Sequence, residues 1–400
     1  MLTADIGRPA HVPEHLVHDF RSYFSGTSQE VLNHWISLHE DGVPDIFWTP
    51  EFDGYWLATN GDDIEEVYKD HEAFTSAFGI SLPLRELPSP ALPINCDPPE
   101  HGEYRRIIAS FFTPKRIVQV EQIARALARE TIDALVDKRE CDFFREFATF
   151  QPIQIFLELS GLPISDWKAL QPWAEIGSRE ADVTVVESMV KEAYAYLLER
   201  VQLRRREPGD DPLTALVEGE AFGRKLTDEE CVGNAFTVLF AGVDTTPSTL
   251  TFIAHFLATH PEHRRILVAD RTRIPAACDE FLRRFPATVQ GRVVRNDMEF
   301  RGVQMKAGDF ILIPGILANL DERRFADPMT VDFNRVGLMK SITFGAGIHR
   351  CPGAMLARMQ IKIFLEEWLG RIPDFRLAEG EQESVRCGAT MTMDYLPLRW

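Results

Sequence analysis

Paired cysteines are missing from this 400-residue chain: Cys96, Cys141, Cys231, Cys278, Cys351 and Cys387 stand singly, with no Cys-x-x-Cys. That argues against a disulfide framework and against a cysteine-rich zinc site. No apolar run approaches the ~18 residues that a spanning helix needs; the longest clean one is Ala235–Val243. Positive charge is in deficit, with 43 Lys+Arg against 61 Asp+Glu and a net −18. An acidic surface of that size repels phosphates and excludes non-specific nucleic-acid binding. The first twenty residues carry Asp5, Glu14, Asp19 and three histidines, not the basic stretch and apolar block of a signal peptide. Repeats, low-complexity tracts and Gly/Ser linkers are absent, as are Gly-x-Ser-x-Gly and phosphate-loop motifs. The expectation is a soluble, cytoplasmic, monomeric globular protein with no membrane or nucleic-acid partner.

What is present is apolar content of 45%, enough for a large buried core. At ~150 residues per domain the length suggests two or three domains, or one large one. Apolar residues recur at three- and four-residue spacing over Glu103–Phe112, Ile117–Val136, Val186–Arg205 and Ala354–Leu369, which predicts helices. The longest such segment, Asp228–Thr259, is apolar nearly all round its middle and reads as a helix through the centre of the protein. Strand signals are short: Tyr55–Thr59, Gly291–Arg295, Met298–Phe300 and Phe310–Pro314. The fold class is therefore mainly α with minor β. A loop with six prolines, Ser81–Pro99, has the length of one that covers a binding site.

Chemistry concentrates in four places. The first is Phe344-Gly-Ala-Gly-Ile-His-Arg-Cys-Pro-Gly353. Its glycines allow a tight turn close to a flat ligand. The helix that follows points N-terminal amides at the Cys351 sulfur, which favours thiolate, a soft anionic ligand for haem iron. A buried structural cysteine in a Gly-rich turn is the plainer reading of Cys351 alone. A dinucleotide fingerprint fails, because Arg350 stands where the third glycine is required. The second is Ala241-Gly-Val-Asp-Thr-Thr-Pro247 in the long apolar helix. Pro247 removes a donor to Val243 and should open or kink the helix there; alternatively one helix ends and another begins, with Thr246 as its N-cap. Asp244 in an apolar stretch is costly without a function or partner. The third is Glu280-x-x-Arg283, an i, i+3 pair of a kind that is mostly surface decoration. The fourth is Asp97-Pro-Pro-Glu-His-Gly-Glu-Tyr-Arg105, where Pro98-Pro99 start a helix and His101 and Arg105 lie one turn apart, as they would on a basic solvent face. His71-Glu72 lacks the second histidine of a metalloprotease helix, and His255, His260 and His263 read as a helix end around Pro261.

Phe344, Gly347, His349, Cys351, Gly353 and Leu356-Ala357 together resemble the cysteine-ligand loop of the cytochrome P450 haem monooxygenases. From Glu280 onward the chain is similar to the bacterial class I, camphor 5-monooxygenase subgroup, through Arg283-Arg-Phe, Gly302-Val-Gln, Leu320-Asp-Glu-Arg, Val331-Asp-Phe, Arg371-Ile-Pro-Asp-Phe and Leu396-Pro-Leu-Arg-Trp400; before Asn95 the likeness is weaker. The resemblance implies one domain over 1–400, a triangular helical prism with a long central helix and buried haem b, its iron held by Cys351. It implies that Asp244 and Thr245 deliver the protons that split O–O. His101, Arg105, Arg292 and His349 would meet the haem propionates, and Glu280, Arg283 and Arg335 would form a buried structural ion pair. It implies O2 and two electrons from a [2Fe–2S] ferredoxin, reduced by an NAD(P)H-dependent reductase. Six cations near the motifs on the Cys side (Arg105, Arg106, Lys340, Arg350, Arg358 and Lys362) are expected to form its docking patch. Matching places Ser89, Thr237, Phe240, Ala241, Thr288, Gln290 and Thr390 in the substrate pocket. Where the camphor enzyme has a tyrosine, this chain has Ser89, which speaks against camphor. The few hydroxyls suit a small apolar substrate with one oxygen, a monoterpenoid or norisoprenoid. The rivals are a peroxide-driven haem peroxygenase, whose members replace the acid–alcohol pair with Arg-Pro, and a non-catalytic haem ligand or gas sensor.

Overall fold

A computed structural model describes residues 7–84, 90–176 and 183–400. Helices dominate, and the longest, Asp228–Thr259, has the bounds that its apolar pattern predicts. Thr227 starts it through a reciprocal capping box with Glu230, satisfying two otherwise orphaned amides. Pro247 lies inside it and does not divide it; Thr246 is a buried helical residue and not the cap of a second helix. Around the proline the hydroxyls of Thr245, Ser248, Thr249 and Thr251 each donate to the carbonyl four residues back, at 2.7, 2.8, 3.0 and 2.7 Å. Such back-bonding adds side-chain donors to a stretch where Pro247 supplies no N–H.

Two hydrophobic cores flank this helix. Val232 to Val243 pack with Leu157, Leu197, Leu216 and Ile363 in one. Leu250 to Ala258 pack with Trp56, Phe281, Leu312 and Trp368 in the other. The polar segment Asp244–Thr249 falls where one core gives way to the other, so the central helix carries its polar residues at a seam.

The second core surrounds a five-stranded sheet in the order Ile46–Thr49, Tyr55–Ala58, Phe310–Pro314, Val289–Val294, Phe74–Thr75. Phe310–Pro314 runs parallel to Tyr55–Ala58 and antiparallel to Val289–Val294. The register sets Arg292 opposite Ile311. An isolated bridge joins Thr288 to Thr390. The helix after the Cys loop, Ala354–Arg371, lies against Pro114–Val136. Glu367 fastens the two, taking Arg125 and Arg129 at 2.8 Å and Arg371 at 3.0 Å. Among the described residues no helix is long and apolar enough to cross a membrane.

Candidate active site

The Cys loop is shaped by backbone sterics. Gly345 and Gly347 adopt φ of +66° and +67°, and a Cβ on Gly347 would meet the Tyr68 carbonyl at 2.7 Å; only glycine enters that conformation without strain. The Cys351 amide donates to the Phe344 carbonyl at 2.9 Å, closing the turn before the Ala354–Arg371 helix. Cys351 is the exposed one of the six cysteines. Its thiol is pushed up by burial among the surrounding groups, against the pull of the Gly353 amide, Arg105, Arg350 and Arg358. A bound metal would take the proton's place and hold the sulfur as thiolate.

Four basic side chains converge beside this loop. His101, on the Glu100–Ile108 helix, is 4% exposed, and its ring lies 4.4 Å from that of His349. Arg292 is 2% exposed, stacks 5.2 Å from the Tyr68 ring, and donates to the Gly291 carbonyl at 2.7 Å. Arg105 donates to the Arg350 carbonyl. Burial, then Arg292, His101 and Arg105, push His349 down to about 3. Burial and then Arg105 lower His101. His101 and Arg105 thus do not form a purely solvent-facing helix side: His101 is buried and Arg105 half-buried, beside buried Arg292 and half-buried His349. His101 Nε2 is buried with no partner.

These donors fit a haem. An exposed cysteine in a glycine turn suits the iron, and the converging donors His101, Arg105, Arg292 and His349, with His101 Nε2 unpartnered, suit two propionates, because carboxylates make charge-assisted bonds to guanidinium and accept from imidazole N–H. Two partners in this cluster were not legible beforehand: Ser76, whose Oγ lies 3.0 Å from His349 Nε2, and Tyr68 under Arg292. A serine and a tyrosine far upstream carry no spacing signal.

On the central helix, Ala241 is exposed and Phe240, Gly242, Asp244 and Thr245 are half-buried, although the turns on either side are buried. That stretch is the accessible part of the helix's otherwise buried middle. Phe236 stacks on Phe240 at 4.1 Å and meets Tyr194 at 4.4 Å. Thr288 and Thr390 are neighbours across their bridge. Gln290 Oε1 lies 3.5 Å from the Tyr68 hydroxyl. Ser89 lies outside the described residues.

Glu280 and Arg283 are both wholly buried and meet through two bonds of 2.8 Å. Arg335 Nε reaches Glu280 at 3.0 Å, while both arginines bond carbonyls of the 326–330 segment. The pair is not surface decoration. The cationic patch is weaker than its count implied: Arg358 pairs with Asp279 at 2.7 Å, Arg106 with Glu103 at 3.1 Å and Lys362 with Glu366 at 3.9 Å.

Comparison with known proteins agrees with this geometry. Residues 179–384 match the family model described as Cytochrome P450. A relative from Sinorhizobium fredii, named probable cytochrome P450 127A1, is 32% identical over 98% of this chain and 96% of its own length. The mycinamicin IV hydroxylase/epoxidase of Micromonospora griseorubida is 31% identical over 82% of this chain and 84% of its own. The crystal structure of CYP101J2 superposes with a TM-score of 0.90 and 33% identity, covering 98% of this chain and 99% of that one. With fold, cysteine loop and whole-chain similarity in agreement, this chain belongs to the cytochrome P450 family and is a monooxygenase that works through haem whose iron is held by a cysteine thiolate.

Proposed function

We propose that the enzyme hydroxylates an unactivated C–H bond of a small, compact apolar molecule, a monoterpenoid or norisoprenoid bearing one oxygen. The observation that carries this is the face of the central helix on which Thr237, Phe240 and Ala241 lead directly to Asp244 and Thr245. An aromatic and aliphatic wall with few hydroxyls selects an apolar body with a single polar group. Thr288, Gln290 and Thr390, from the sheet side, would complete that wall. Haem, when bound, supplies the activation of O2 by two electrons that lets one oxygen atom enter a C–H bond while the other leaves as water. Cys351 would hold its iron, and His101, Arg105, Arg292 and His349 its propionates.

The chain's own task is the two protons this stoichiometry requires. Thr245 Oγ rests on the Ala241 carbonyl at 2.7 Å, one turn back along the exposed stretch, so rotation about one side-chain bond frees it to donate into the site. Asp244, its neighbour and half-buried, would return the proton to it. This acid–alcohol pair favours use of O2 over a reaction driven by peroxide, which brings its own protons. Electrons would come from a [2Fe–2S] ferredoxin and its NAD(P)H-dependent reductase, met at Arg105, Arg350 and Lys340 beside the Cys loop.

The test is titration of the purified holoenzyme with monoterpenes, norisoprenoids, fatty acids and steroids, following the absorption shift of the haem. Shifts with the C10–C13 cyclic compounds are expected. A response confined to fatty acids or steroids would defeat the assignment.

A further inference from the structure

Pro247 offers no N–H to the Val243 carbonyl, so the turn that carries Asp244 and Thr245 lacks one of its rungs. Among the hydroxyls that return to the backbone there, Ser248 differs. Besides the Asp244 carbonyl at 2.8 Å, its oxygen meets the Thr392 hydroxyl at 2.9 Å. Ser248 and Thr392 are 0% and 1% exposed, so water does not compete for either. Counting protons gives the direction. A carbonyl only accepts, so the single Ser248 proton goes to Asp244, and the Thr392 hydroxyl must donate to Ser248. The chain therefore runs one way, from Thr392 through Ser248 to the Asp244 carbonyl. Thr392 opens the strand Thr392–Tyr395, and the residues before it are tied to the sheet. The Met391 amide donates to the Ala287 carbonyl at 2.7 Å, the Val289 amide to the Ala389 carbonyl at 3.0 Å, and Thr390 bridges Thr288. Val289 begins the strand that carries Gln290 and Arg292. A satisfied buried hydroxyl chain fixes geometry more than it adds stability.

We infer that Ser248 and Thr392 are positioning residues for proton delivery: they hold the turn bearing Asp244 and Thr245 in register with the sheet side of the site. This rests on the proposed roles of Asp244 and Thr245 and extends them to the residues that keep that pair in place. Both hydroxyls are buried away from the accessible stretch, so each acts through the Asp244 backbone and not on the reacting atoms.

The test compares wild type, T392V, T392S, S248A, the T392V/S248A double variant and T245A. In the holoenzyme without substrate, amide hydrogen exchange over 240–250 should quicken about three- to tenfold in T392V and S248A. Exchange over Pro114–Val136 should stay unchanged, and the thermal midpoint should lie within about 3 °C of wild type. Turnover is driven by a plant-type [2Fe–2S] ferredoxin with its NADPH-dependent reductase. The substrate is the compound of the titration panel, of whatever class, that shifts the haem most, so the terpenoid reading is not at stake. Product per oxygen consumed should fall about three- to tenfold in T392V, with peroxide making up the difference. T392S should restore coupling, and the double variant should match S248A alone, because a single chain is being cut twice. Unchanged exchange, additive losses, or a loss that T392S does not rescue would overturn the inference. Uncoupling in T245A beside normal coupling in T392V would sink the positioning role alone. Normal coupling in T245A would sink the proton reading and the positioning role with it.

Discussion

Thr245 is the residue on which the proton account turns. Its hydroxyl is held by the Ala241 carbonyl at 2.7 Å, so Thr245→Ala removes one exposed-side hydroxyl and no packing contact of consequence. Haem content and the substrate-induced shift should match wild type. Oxygen uptake should continue, but most of it should yield hydrogen peroxide and product formation should fall roughly ten- to a hundredfold, the usual weight of a positioned proton donor. Measuring peroxide against product per oxygen consumed checks this, and unchanged coupling would contradict it. At this scale the sequence was informative where several residues keep fixed spacing in one segment, as in the Cys loop that marks the family. It was silent where a partner comes from a distant loop. Nothing about Ser76 or Tyr68 announces that the fold brings them to His349 and Arg292.

Among the elements, the central helix was legible to the residue because its apolar pattern is local. Phe150–Ser160 was not predicted: nearly every residue in it is buried, so it shows no polar face and no period. The strand Ile46–Thr49 is likewise buried throughout and carries no alternation. Glu280-x-x-Arg283 read locally as decoration and only its resemblance to a family motif marked it as buried. Its energetics follow from that burial. Glu280→Gln leaves Arg283 and Arg335 without their carboxylate in the interior, at about 3–5 kcal/mol. The variant should express poorly and show a thermal midpoint well below wild type, whereas Asp297→Asn, in a pair with Lys306 whose side chains are 62% and 50% exposed, should change it little. Equal midpoints for the two variants would mean that the buried ion pair does not hold the region together.

For the whole molecule, the proposed docking of an electron donor is a question of charge. The net charge is −18, so under the proposed docking an acidic partner would be drawn only by local cations such as Arg105 and Arg350 of the Cys loop, an attraction that pairing of Arg106, Arg358 and Lys362 with carboxylates trims. Association with an acidic ferredoxin should therefore slow as salt rises, by about tenfold or less between 50 and 300 mM. A rate that rises with salt would place docking elsewhere. Sequence counting overstated this patch because it cannot see that Asp279, Glu103 and Glu366 fold against it. Above all the account needs the protein to bind haem through one sulfur. The most direct measurement is the absorption spectrum of the reduced, carbon monoxide-bound protein, wild type beside Cys351→Ser: the wild type should show the band of thiolate-ligated haem and the variant should lose it, whereas an unaltered band in the variant, or a wild type that takes up no haem when haem is plentiful, would contradict the assignment.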